Sequence, residues 1–241
     1  MRKKRVAAGV VAVVVAAGIA AYFVMSSVLE DPTPVGKPTP APEGAGWVDL
    51  LDAAHAGGWE NAADDKDIFE ITEDGVLHIY GVSLYPLRYA AYTARSFGDF
   101  DLHLEFRVAG GANSGVFLRS TPNDPVQRGF EVQVLDDAGA PPNKNGSGAI
   151  YDVVSPMFNL ARPAGQWNSY DIALRGREVK VTMNGWLVIH TDFARMTRPL
   201  GKFEVPYAEL PLQGHLMLQD HGGEVWYRNI RIKPVQTGGP S

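Results

Sequence analysis

Gln219, Asp220 and His221 stand immediately before a Gly-Gly pair in LMLQDHGGEVWYRNIRI, residues 216–232. A tight turn uses glycine and tolerates aspartate, but it has no need of glutamine or imidazole. His221 titrates near neutrality and can act as base, acid or ligand of a divalent cation, the alternative being a turn residue without chemistry. Glu131, in GFEVQVLDD, is a second titratable candidate. A retaining glycosidase needs two carboxyl groups on one face about 5 Å apart. Here Gln133 stands where the central acid of a Glu-x-Asp-x-(x)-Glu strand would be, and Leu135 and Asp136 where the last would be. One carboxylate on the strand disfavours that chemistry. The six histidines show no zincin spacing. The glycines of GGAN (110–113) and NKNGSGA (143–149) precede no helix, so neither is a phosphate loop.

Ten short alternating runs are available to position these groups: IFEIT, VLHIYG, DFDLHLEFRV, SGVFLRS, GFEVQVL, NSYDIALRG, EVKVTMNG, WLVIHT, HLMLQD and EVWYRNIRI. Gly, Asn, Asp and Pro clusters separate them, which predicts an all-β sandwich or barrel. MNGW at 183–186 reads as an Asn-Gly hairpin turn and EDG at 73–75 as a weaker one. Side chains alternate along a strand. Leu102, Leu104, Phe106, Val116, Leu118, Phe130, Val132, Val134, Leu216 and Leu218 therefore form an apolar set. Opposite them stand His103, Glu105, Arg107, Asn113, Arg119, Glu131, Gln133, Gln219 and His221. If the four strands share a sheet, these polar residues form one face. Arg, Gln, Asn, Glu and His are hydrogen-bonding types suited to sugar hydroxyls and carboxylates. A solvated outer face is the plainer alternative.

The chain has 241 residues, a formal net charge of −5 and no cysteine. Disulfides, thiolate metal sites and cysteine nucleophiles are excluded. Basic residues cluster only in MRKKR at the start, which argues against a nucleic-acid partner. Val6–Met25 follows without a charge, and twenty helical residues would span about 30 Å, a bilayer core. Residues 1–28 are read as a single-span membrane anchor, or alternatively a cleaved signal, with the rest of the chain outside the cytoplasm at the cell membrane or secreted. Residues 29–46, rich in proline, are read as a linker, residues 47–235 as the domain and residues 236–241 as a tail.

The segments YTARSFGDFDLHLEFRV, NSGVFLRS, GFEVQVLDD, GSGAIYDVVSP, GQWNSYDIALRGREVKVTMNG and LMLQDHGGEVWYRNIRI together resemble the 3-keto-disaccharide hydrolase family. The resemblance implies a concanavalin A-like jelly-roll sandwich acting on 3-keto-glycosides, by elimination at C1–C2, by hydration of the resulting glycal, or both. A C3 ketone acidifies the C2 proton, so one base and a stabilised enediolate suffice. On that footing His221, Glu131 and Tyr151 are the catalytic candidates. Arg119, Asn113, Gln133, Gln219, Glu105 and Arg107 are expected to bind the sugar, and Asp220 to support His221. A divalent cation would sit on Glu131 and His221; no organic cofactor is implied. A separate sugar 3-oxidoreductase would supply the substrate. The alternative is a non-catalytic carbohydrate-binding module.

Overall fold

The computed structural model describes residues 36–62 and 66–235. Thirteen strands run in the order β1 (Val48–Asp49), β2 (Trp59–Ala62), β3 (Phe69–Ile71), β4 (Val76–Ile79), β5 (Arg88–Phe97), β6 (Phe100–Val108) and β7 (Asn113–Ser120). They continue with β8 (Phe130–Leu135), β9 (Asn168–Arg175), β10 (Glu178–Met183), β11 (Trp186–Asp192), β12 (Gly214–Asp220) and β13 (Val225–Pro234). Three 3₁₀ turns, at 56–58, 193–195 and 207–209, are the helical elements among the described residues.

The strands form two antiparallel sheets. One has eight strands in the order β11-β10-β9-β6-β13-β4-β3, with β1 also paired to β13; the other has five, β2-β5-β12-β7-β8. The apolar set predicted by parity lies between them. Leu102, Leu104, Phe106, Val116, Leu118, Phe130, Val132, Val134, Leu216 and Leu218 are all buried in one core. The β10–β11 hairpin turns at Asn184 (φ +49°) and Gly185 (φ +85°), the two left-handed positions that a type I′ turn requires.

The two sheets are also tied by buried hydroxyls that fix the strands of the five-stranded sheet. Tyr170 on β9 donates across the core to the Gln133 carbonyl on β8 at 2.6 Å. Tyr227 on β13 meets Ser114 Oγ on β7 at 2.7 Å, and Ser114 donates to the Gln219 carbonyl on β12 at 2.5 Å. Both tyrosines are fully buried, so an unpaired hydroxyl there would be costly.

Two expectations need revision, and a third falls outside the described residues. Residues 36–42, assigned to the linker, are bound to the eight-stranded sheet. Lys37 N–H donates to the Asn184 carbonyl, Thr39 Oγ1 to Asp171 at 2.6 Å, and Arg231 to the Pro42 carbonyl. The anchor expected over residues 1–28 lies outside the described residues, as does the tail. No helix among the described residues is long and apolar enough to cross a membrane. Finally, β6 belongs to the other sheet from β7, β8 and β12, which divides the expected polar face in two.

Candidate active site

The outer face of the five-stranded sheet has an apolar floor: Ala62, Tyr89, Ala91, Phe117 and Met217 pack together there. Glu131 lies opposite Phe117 and Gln133 opposite Gly115 across β7–β8, while Gln219 lies opposite Tyr89 across β12–β5. Glu131, Gln133 and Gln219 thus surround the floor, and all three are buried although they leave the core side of their strands. Gly115 has a specific reason to be glycine: a Cβ there would collide with the Glu131 carboxylate. The missing side chain is the space that the carboxylate occupies.

A chain of side-chain hydrogen bonds runs from β8 to the end of β12. Gln133 Nε2 donates to Asn113 Oδ1 at 3.2 Å. Asn113 Nδ2 then faces His221 Nδ1 at 3.0 Å. With its carbonyl engaged by Gln133, the Asn113 amide presents a donor, so His221 Nδ1 accepts and the neutral ring carries its proton on Nε2. Protonating Nδ1 would set two donors against each other. Burial, then the nearby charge of Lys202, hold the His221 pKa below the ordinary value, with Asp220 opposing.

Glu131 is displaced the other way. The residue is 7% exposed, and no side-chain hydrogen bond to its carboxyl group occurs among the described residues. Burial pushes its pKa up to about 8, against the pull of the Lys202 ammonium. A carboxyl group with such a pKa exchanges protons near neutral pH. Around it stand acceptors and hydroxyls without partners: Gln133 Oε1, Gln219 Oε1, Tyr89 OH and Tyr207 OH. Each is buried and lacks a hydrogen bond, an arrangement that folding alone does not favour. Tyr89 and Tyr207 are both shifted well upward by burial, with the Glu131 charge adding to each. Gln219 lies close enough to Tyr89 to ease that shift without completing a bond.

Lys202, Tyr207 and Tyr89 were not singled out from the sequence. Lys202 sits in an irregular segment, its Nζ 4.4 Å from the centroid of the Tyr151 ring. Its N–H donates to Asp152 Oδ2 at 2.8 Å, and the next segment is held by Glu204 N–H to Gln127 Oε1 at 2.9 Å. Tyr151 is therefore at the rim, under a cation. Its hydroxyl is shifted upward by burial and then by the Glu131 charge.

The remaining expected residues lie elsewhere. Arg119 was expected on this face by parity, but an extra residue in β7 shifts the β7–β12 register between Phe117 and Ser120, and Arg119 adopts φ +50°. Its guanidinium turns to the edge of the sheet and bonds the Gly98 and Gly176 carbonyls and Asp99. Glu105 and Arg107 are on the outer face of the eight-stranded sheet. Glu105 accepts from Arg228 and Asn229 at 2.6–2.9 Å. Arg107 lies against Trp167 and Trp226, at 5.1 and 4.5 Å from their ring centroids. His103, on the same strand, bonds Asp171. Asp220 does not hold His221: its buried carboxylate accepts from the backbone N–H groups of Val82 and Ser83. A surface cavity of about 730 Å³ beside β9–β11 includes none of the outer-face residues, and its His190 is engaged by Glu178.

Residues 46–233 match the pattern of the 3-keto-alpha-glucoside-1,2-lyase-like domain. A Bacteroides thetaiotaomicron protein named 3-keto-disaccharide hydrolase is 26% identical over 226 residues, 78% of each chain. A Parabacteroides distasonis structure provisionally labelled a glycosyl hydrolase superposes with a TM-score of 0.65 at 27% identity. That match covers 78% of this chain and 99% of the other. A Bacillus subtilis protein with a galectin-like fold is similar in fold alone, with a TM-score of 0.54 and 12% identity over 80% of this chain and 97% of the other.

Proposed function

Because the chain belongs to the 3-keto-alpha-glucoside-1,2-lyase-like family, we propose that it is an enzyme that cleaves 3-keto-glycosides at the outer face of its five-stranded sheet. The observation that carries this reading is Glu131: a buried carboxyl group without a side-chain hydrogen bond among the described residues, its pKa pushed up to about 8, on the same sheet face as the Gln133–Asn113–His221 chain. Ionised Glu131 removes the C2 proton of the 3-keto sugar. The electron pair moves into the C3 carbonyl, giving an enediolate, and returns to expel the substituent at C1. Glu131, now protonated, returns that proton to the departing oxygen. The products are a 2-hydroxy-glycal bearing the C3 ketone and a free aglycone. Water addition to the glycal then completes net hydrolysis.

The other residues have roles in the same step. His221 offers its Nε2–H to the C3 oxygen as a neutral donor, held by Asn113 and Gln133. Lys202 supplies positive charge beside the developing oxyanion, an effect largest in a site from which water is excluded. A divalent cation at this face would be held by oxygens, from Gln133 Oε1, Gln219 Oε1 and the Glu131 carboxylate, because His221 Nε2 carries a proton, and it would act as a Lewis acid toward the ketone oxygen. A cation on Glu131 would lower its pKa, so the acid–base assignment is that of the metal-free site. The charge-free run Val6–Met25 after MRKKR supports an exported, membrane-tethered form, and a sugar 3-oxidoreductase would supply the substrate.

The test is to incubate the protein with 3-keto-α-glucosides and follow release of glycal and 3-keto-glucose, with and without a chelator. Product release is expected. Absence of both products, with a sugar-dependent rise in melting temperature, would make the domain a carbohydrate-binding module instead. Loss of turnover on chelation, restored by a divalent cation, would establish the metal.

A further inference from the structure

The segment between β4 and β5 combines firm anchoring with unusual exposure. The fully buried Asp220 carboxylate accepts from Val82 N–H at 3.0 Å and Ser83 N–H at 3.1 Å. Arg88 Nη1 donates to Ser83 Oγ. The adjoining Gly-Gly turn lies close against this segment: a Cβ on Gly81 would come within 2.3 Å of the Gly223 backbone, and one on Gly222 within 2.8 Å of Leu84 Cδ2. Yet Leu84 and Tyr85, at the tip, are 68% and 83% exposed. Single exposed apolar side chains are ordinary. Two adjacent ones, on a segment pinned by a buried carboxylate, are presented to something. Tyr85 identifies what: its ring meets His221 edge-on, centroids 5.7 Å apart at 76°. Another part of the rim, at Tyr151 and Lys202, is cationic and near enough for Tyr85 to act on the Tyr151 hydroxyl.

We propose that Leu84 and Tyr85 form the subsite for the leaving group, and that this group carries an apolar face, an aryl ring or the C–H face of a second pyranose. This rests on the reading of the site as a 3-keto-glycoside enzyme. The keto sugar lies toward Glu131 and Lys202, and its C1 substituent extends past His221 onto Tyr85. Packing against an aromatic ring rewards shape without requiring a particular hydrogen-bond pattern, so the subsite selects for apolar area and tolerates many aglycones.

The experiment compares methyl and cyclohexylmethyl 3-keto-α-glucosides, whose alcohol leaving groups have similar acidity and differ in apolar bulk. The quantity read is the ratio of kcat/KM for the bulky over the small substrate. In Tyr85→Ala this ratio is expected to fall about tenfold, and in Leu84→Ala about threefold; Tyr85→Trp should retain it. A ratio unchanged in both alanine variants, whatever the absolute rates, overturns the subsite while leaving the function in place. Wild-type protein that turns over neither compound overturns the functional reading and this inference with it.

Discussion

Glu105 and Glu131 are almost equally buried, at 6% and 7% exposure, and each leaves its strand on the outer face of a sheet. Glu105 meets two oppositely placed donors, Arg228 and Asn229, within a surface where Arg107 and Arg228 lie over Trp167 and Arg107 also over Trp226. Glu131 meets no side-chain donor among the described residues, and Gln133 Oε1, Gln219 Oε1, Tyr89 OH and Tyr207 OH each keep an open valence. His103 Nε2 and Arg107 Nε also lack partners on the first face, but both side chains are engaged through their other atoms or ring stacking. Residue type does not separate a bracing face from a reacting one. The difference lies in whether the buried carboxylate is satisfied, because an unsatisfied buried polar group is retained at a cost of about 1–3 kcal/mol.

Paired substitutions break or sharpen that contrast. His221→Ala should lower kcat/KM on a 3-keto-α-glucoside by about 10²-fold with little change in melting temperature. Glu105→Gln should do the reverse, leaving turnover within about threefold and lowering the melting temperature by several degrees as Arg228 loses its charged partner. Equal losses of activity would make both faces functional.

Lys202→Met should lower kcat/KM by roughly tenfold at neutral pH. Lys202 holds the Glu131 pKa down, so without it the carboxyl group ionises later. Activity that requires ionised Glu131 rises with pH through a midpoint of about 8 in the wild type, and that rise should move to higher pH in the variant. A pH–rate profile that stays in place would detach Lys202 from the site.

The smallest effect is on stability. The folded pKa of Glu131, about 8, lies above the ordinary 4.5. The folded state therefore holds a proton that the unfolded chain releases, so this group's contribution is fully present below about pH 4.5 and is lost as pH rises through 8. Wild-type melting temperature should fall across that window more steeply than that of Glu131→Gln. The variant should be the more stable by on the order of 5 °C at pH 9 and by almost nothing at pH 4.5. Parallel melting curves would remove the buried, uncompensated carboxyl group from the account.

Much of this architecture is legible in strand parity. The ten alternating runs correspond to β3, β4 and β6 through β13, and both hairpin turns form where Asn-Gly and Asp-Gly predict them. β5 escapes because RYAAYTARSF is alanine-rich and does not alternate cleanly, and Tyr89 escapes with it. Parity tells which side of its own strand a residue takes, but not which sheet the strand joins; that is why Glu105 and Arg107 were grouped with Glu131. It also fails at Arg119, where one extra residue and a positive φ reverse the direction of the side chain. Lys202 and Tyr207 lie in a long segment without periodicity, where position depends on tertiary anchors such as Asp152 and Gln127. Asn113, Glu131, Gln133 and Gln219 share one sheet because regular strands carry them, and His221 follows directly on β12.

The most direct test of the central claim is turnover of a 3-keto-α-glucoside by Glu131→Gln, an isosteric change that leaves the fold intact and removes the titrating group. Loss of kcat/KM by about 10²-fold or more, at unchanged or raised melting temperature, is the predicted result. A folded variant that retains near wild-type turnover would contradict it.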